Sequence, residues 1–190
     1  MDNNTLLTEV NSDNLTTATN PNSMPMVALR GKVILPSVTT TFDVGREKSL
    51  RALDAALAHE DDALLFVAAQ VDAAVENPSI ADVYEVGVVC RIKRCSRMPG
   101  DNLRVNVDAL YAARISQVYS VDEYFSVAVD EVFPDYGEAA ETEAYCRFVK
   151  DETRNYFLSI GSKNVKEPFP AILANEDANA FCNDAAYYFN

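Results

Sequence analysis

PMVALRGKVILPSVTTTFDVGREKSLRAL, residues 25–53, sets the order of elements from which the fold follows. Met26 to Leu29 is an apolar run of strand length, Arg30, Gly31 and Lys32 make a basic turn, and the next apolar run is stopped by Pro36. Phe42 to Ser49 then opens an amphipathic helix. From Glu47 to His59, Leu50, Leu53, Ala56 and Leu57 share one face while Glu47, Lys48, Arg51 and Asp54 stay wet. A helix laid on a sheet is therefore expected at the start of the fold.

Downstream, Ala63 to Ala69 is a continuous apolar run set off from that helix by Asp61-Asp62, which predicts a central strand covered on both faces. The segment from Gln70 to Gly87 loses its periodicity around Asn77-Pro78, and a proline cannot sit in a central ladder, so a crossover loop belongs there. Tyr84 to Cys95 alternates, Met98-Pro99-Gly100-Asp101-Asn102 is a dense turn signal, and Leu103, Val105 and Val107 alternate on the return, which reads as a hairpin. Tyr111 to Tyr119 and Tyr124 to Val132 supply two more strands. Six or seven short strands with one early helix predict a closed or nearly closed sheet, because closure removes exposed edges.

Beyond Pro134-Asp135-Tyr136-Gly137 the period changes from 2 to 3.6. Glu138 to Ile160 carries Tyr145, Phe148, Val149, Tyr156 and Ile160 on one stripe, with Gly161 as its stop. Pro168 and Pro170 break the chain, and Asn175-Glu176-Asp177 caps a last helix with Ala178, Phe181, Cys182, Ala185 and Phe189 on one face. The expected organisation is α+β: a disordered tail over 1–24, a β-domain over 25–133 and a small helical subdomain over 134–190. The sequence stops at Tyr187-Tyr188-Phe189-Asn190 without a terminating glycine, so the helical part is expected to be truncated.

With 29 acidic and 16 basic residues the formal charge is −13, which disfavours nucleic acid unless a local basic patch overcomes it. Arg91, Lys93, Arg94, Arg97 and Arg104 form the best such patch, which also reads simply as a solvated hairpin face. Cys90, Cys95, Cys146 and Cys182 lack zinc-finger spacing and are expected to be reduced thiols, mostly buried. No secretory signal or membrane-spanning stretch is present, so a cytoplasmic protein is expected. His59, the only imidazole, ends a helix, where it complements the helix charge. Gly45-Arg46-Glu47-Lys48-Ser49 lacks the glycine directly before the lysine that a phosphate-binding P-loop requires.

The order strand, basic turn, "VGREKS" and helix over residues 25–53 resembles the start of the Lon substrate-binding domain. Gln70-Val71-Asp72, the run Asp82 to Gly87, Arg104-Val105-Asn106-Val107 leading to Ala112-Ala113-Arg114-Ile115, Glu123-Tyr124-Phe125 and Ile172 to Asp177 are similar to that family in the same order. The resemblance implies a PUA-like β-domain followed by helices, and a non-catalytic module that captures unfolded, damaged or degron-bearing proteins for an ATP-dependent protease. It implies a parent with an ATPase using ATP and Mg and a Ser-Lys peptidase, assembled as a homo-oligomeric ring, a hexamer. For this chain itself it implies no cofactor and no catalytic residue. Candidate substrate-binding residues are Leu35, Pro36, Val38 and Phe42 in the early loop and Met98 and Pro99 at the hairpin tip. Thr39, Thr40 and Thr41 make that loop more polar than the family pattern. A stand-alone adaptor and a PUA-like RNA-binding module are the competing readings.

Overall fold

The computed structural model describes residues 23–59, 62–160 and 169–189. The tail up to residue 22, Asp61, the helix stop at Gly161, Pro168 and Asn190 lie outside the described residues. Among the described residues the elements are β1 (Met24–Leu29), β2 (Thr39–Val44), α1 (Glu47–Leu57), β3 (Leu64–Ala69), β4 (Val86–Arg97), β5 (Leu103–Ser120), β6 (Phe125–Glu131), α2 (Ala139–Ile160), α3 (Phe169–Ala174) and α4 (Ala178–Phe189), with a 3-10 turn at Ile80–Asp82. They fall into two compact units: the chain up to Ile34 with Thr39–Val132, and Leu35–Val38 with Phe133–Asn190.

In the first unit β1 runs parallel to β3, and β3–β4, β4–β5, β5–β6 and β6–β1 are antiparallel, so five strands form a nearly closed ring. β2 is annexed antiparallel to the first part of β5, from Thr39 opposite Asp108 to Val44 opposite Leu103. Two expected strands, over 103–107 and 111–119, are one continuous 18-residue strand. No glycine or proline interrupts it, and while β4 pairs along one edge its other edge hands over from β2 to β6. The second apolar run is not a strand: the chain turns at Pro36 and Ser37, whose φ is 68°. The threonines expected in a loop form β2 instead, as β-branched residues on a pleated surface do.

Met26, Ala28, Phe66, Ala68, Val83, Val89, Ala113, Phe125 and Val127 make one buried cluster to which all five ring strands contribute. The opposite-parity residues Val27, Leu29, Leu65 and Val67 are also buried, so β1 and β3 are covered on both faces, as the continuous apolar run predicted for β3. α1 packs over β1 and β3. Its buried face is Ser49, Ala52, Leu53 and Ala56, and Leu57 is exposed, so the stripe is rotated from the one expected. Three small residues let the helix axis approach the sheet more closely than a row of leucines would. Gly87 permits a similar approach, since a Cβ there would stand 2.4 Å from the Val67 carbonyl oxygen. The hairpin between β4 and β5 closes with the Met98 N–H donating to the Asn102 carbonyl at 2.8 Å, Gly100 and Asp101 taking positive φ.

In the second unit Phe181 of α4 is fully buried, with Ile172 of α3 and Thr153 of α2 also inside. The Lys150 ammonium sits 5.1 Å from the Phe181 ring centroid, a cation over an aromatic face. Asp177 caps α4: its Oδ1 accepts the Ala180 N–H at 2.7 Å and its Oδ2 accepts the Tyr136 hydroxyl at 2.9 Å. Of the apolar stripe expected along α2, Tyr145, Phe148, Val149 and Tyr156 are all exposed. Of the cysteines only Cys90 is buried, where burial pushes its thiol up to about 12, and Cys182 is exposed. Among the described residues no helix is long and apolar enough to cross a membrane.

Candidate functional site

The first unit carries a cleft of about 450 Å³ where β1 and β2 end and α1 begins. Its wall is formed by Val27 to Arg30, by Asp43 to Arg46 with Ser49, and by Glu76 and Asn77 of the crossover loop. It lies where β2 gives way to a helix at Gly45, beside the hairpin turn: a Cβ there would stand 2.0 Å from Asn102 Oδ1 and oblige that amide to move. Arg46 becomes the N-cap of α1 but supplies no side-chain acceptor for its first-turn N–H groups. Instead its Nη2 donates to Gln70 Oε1 at 2.5 Å. Gln70 is buried and in turn donates Nε2 to the Val75 carbonyl at 2.9 Å, while Arg30 Nη2 reaches the same carbonyl at 3.4 Å. Burial first, and then the charge of Arg30, lower the proton affinity of Arg46.

The second unit has a groove of about 570 Å³ along α2 and the start of α4. Its charges compensate one another, Arg147 pairing with Glu143 at 2.7 Å and Arg154 with Asp151 at 2.6 Å. Beside it, Tyr145, Phe148, Val149 and Tyr156 are spaced by three, one and seven residues, which puts them on a single exposed stripe of α2. The buried or half-buried residues Thr142, Cys146, Lys150 and Thr153 occupy the neighbouring stripe, and these face inward.

The six residues read as substrate-binding are not gathered in one place. Leu35, Pro36 and Val38 belong to the second unit, Phe42 sits in β2 opposite Val105, and Met98 and Pro99 stand at the hairpin turn. Val38 and Phe42 are core side chains, 7% and 5% exposed, and the reading of these two as a grip on substrate is corrected: their inward faces are used for packing. Leu35, Pro36 and Met98 are half-buried and Pro99 is exposed. Sequence reasoning missed Arg30, Arg46 and Gln70 as a group. The signal was there in "LRGK", "VGRE" and "AQVD", but only the pairing of Gln70 with Val83 and the strand ends bring them together.

The basic patch of the hairpin is largely neutralised. Arg91 pairs with Asp62 at 2.9 Å, Lys93 with Asp108 at 3.1 Å and Arg104 with Asp43 at 2.8 Å. Lys48, the lysine of the incomplete P-loop pattern, donates to the Val121 carbonyl at 2.7 Å and lies 5.4 Å from the Phe125 ring centroid, so it is held on β-structure rather than over a phosphate cradle. Among the described residues no three His, Cys, Asp or Glu side chains gather as a metal site.

Comparison with known proteins gives this geometry its context. Residues 23–188 match the family model of the ATP-dependent protease La (LON) substrate-binding domain. The chain is 33% identical over 168 residues to the Lon protease of Clostridioides difficile strain 630, covering 86% of this chain and 21% of that one. To Lon protease 1 of Bacillus subtilis strain 168 it is 31% identical over 155 residues, 82% of this chain and 20% of the relative. It thus spans about a fifth of the length of these curated relatives. Among solved structures, the N-terminal domain of the Mycobacterium avium complex Lon protease superposes with a TM-score of 0.54 at 18% identity, covering 86% of this chain and 96% of that one. A Lon N-terminal domain protein from Xanthomonas campestris gives 0.50 at 14% identity, over 87% and 98%. The mixed six-stranded sheet with its helices is therefore the fold of Lon N-terminal domains, and the chain belongs to the family of the ATP-dependent protease La (LON) substrate-binding domain.

Proposed function

We propose that this chain is the non-catalytic receiving end of an ATP-dependent protease, capturing unfolded or degron-bearing polypeptides through exposed apolar side chains. ATP hydrolysis and peptide-bond cleavage belong, on this reading, to other parts of the whole protein, and a ring of subunits makes weak single contacts effective through avidity. The observation that carries the proposal is the α2 stripe at Tyr145, Phe148 and Val149, with exposures of 63, 62 and 42%. Soluble proteins seldom leave contiguous aromatic surface in water without a partner for it. An unfolded chain, which exposes such side chains throughout its length, is the occupant that the family's description as substrate-binding favours. Leu35, Pro36, Met98 and Pro99 remain the secondary contacts.

The test titrates the 190-residue chain into a fluorescent, end-blocked model polypeptide that stays unfolded, with sedimentation run alongside. Replacing Tyr145→Ser together with Phe148→Ser should weaken binding at least about 10-fold, the loss typical of one aromatic hot spot. No binding by the parent chain, or binding unchanged in the double variant, refutes the proposal. So does a double variant that alters only the state of association, since the stripe would then be a surface between copies.

A further inference from the structure

The cleft of the first unit gathers two positive charges and leaves them unmatched. Arg30 and Arg46 both line it. Among the described residues, the ion pairs of the chain use other cations, and no carboxylate stands within 4.0 Å of either guanidinium. Two carboxylates share the wall. Asp43 is held by Arg104 through two N–H groups, both at 2.8 Å, and Glu76 is exposed and without an ion pair.

This is unusual in a chain with 29 acidic residues and a net charge of −13, where the nearby Arg91, Lys93 and Arg104 have each found a carboxylate. Arg46 and Arg30 are instead suspended from neutral acceptors, the Gln70 amide oxygen and the Val75 carbonyl. That mode of support fixes a guanidinium while using only one of its five N–H donors, and the remaining fork is the shape that grips a carboxylate through two parallel bonds. Like charges on one wall repel each other, and an anion between them removes that repulsion. The uncapped first turn of α1, opening on the same space at Gly45, Arg46 and Ser49, adds a field of the same sign. The walls next to the guanidiniums are the ends of β1 and β2, and a cleft of about 450 Å³ has room for a chain end or a short extended segment.

We propose that this cleft binds a carboxylate of an extended polypeptide, with Arg30 and Arg46 as its donors. The inference rests on the reading of the chain as a polypeptide-binding module and gives that module a second, charge-selective contact in addition to the α2 stripe. The carboxylate has two sources, the α-carboxylate of a C-terminus or an Asp or Glu side chain.

Three labelled octapeptides of Gly, Ser and Thr separate the possibilities by fluorescence anisotropy at low salt, using the 190-residue chain. One ends in a free carboxylate, one is amidated, and one is amidated but carries a single internal Glu. At least one of the two charged peptides should bind about 10-fold or more tightly than the neutral amide, as expected for charge-assisted bonds. Which of them does so identifies the source. The preference should collapse to about 2-fold or less in Arg30→Gln and in Arg46→Gln, and should weaken as salt is raised. Arg30 is exposed, so its replacement leaves the fold intact and keeps the test valid even if Arg46→Gln unfolds. Equal binding of all three peptides overturns the proposal, as does a preference that survives Arg30→Gln. The peptides carry no aromatic or large aliphatic residue, so a failure at the α2 stripe leaves this result unaffected, and equal binding here leaves the stripe experiment standing.

Discussion

Phe66 in β3 and Phe148 in α2 are the same side chain in opposite circumstances, the first fully buried and the second 62% exposed. The β-unit surrounds its apolar residues with five strands and a helix, so both faces of β1 and β3 are covered. In the helical unit α4 packs against α2 and α3, and the buried apolar side chains of α3 and α4 are Ile172 and Phe181. A ring of strands has an inside, whereas helices with one apolar stripe each bury only what a neighbouring helix covers. The difference predicts that stability resides in the first unit and that apolar surface is available in the second.

The sharpest way to break this comparison is to truncate the buried ring. Phe66→Ala removes a ring that lies in the cluster of Met26, Val89, Phe125 and Val127, and should cost about 3–5 kcal/mol in chemical denaturation. A loss under about 1 kcal/mol would show that the ring interior is not the core it is taken to be.

A smaller effect probes the helical unit through its cap. Asp177 accepts the Ala180 N–H, the Tyr136 hydroxyl and the Asn179 N–H, and these bonds to the charged form, the Ala180 bond first, hold its carboxyl below the ordinary 3.8. Because the folded value is depressed, the stabilisation is fully present above the unfolded pKa. It is lost as pH falls below about 4 and through the folded value. Asp177→Ala should cost about 1 kcal/mol near pH 7, as loss of a helix cap does, and amide exchange in α4 should rise. Once the pH has fallen through the depressed folded value the variant and the parent should converge, and a difference that persists in strong acid would mean that Asp177 acts by packing rather than by charge.

How much of this was legible in the sequence follows the same division. Continuous apolar Leu64 to Ala69 and the alternation through β4 named their strands, because strand period and burial coincide there. β2 was not legible, since Thr39, Thr40 and Thr41 carry no hydrophobic signal and only the partner strand β5 makes them a strand. The helix of α2 was legible from its period, but its exposed side was not. Periodicity shows that apolar residues share a face and says nothing of whether a neighbour exists to cover it. Of the candidate site, Val38 and Phe42 could be read as core or as surface, because an apolar residue beside a turn reads the same whether it points in or out, and both are buried. The Arg30, Arg46 and Gln70 group was invisible for a different reason: its members are 16 and 24 residues apart and meet only where strand ends converge.

The smallest expected effect is also the most discriminating. Tyr145→Ser with Phe148→Ser should change the free energy of unfolding by no more than about 0.5 kcal/mol, because both rings stand mostly in water and replacing them leaves no cavity. If the pair were instead a core awaiting no partner, stability would fall with binding and the two losses could not be told apart. A variant as stable as its parent that no longer holds an unfolded polypeptide therefore separates recognition from folding. The stripe then contributes nothing to the isolated chain and everything to its complex, which is the reverse of Phe66.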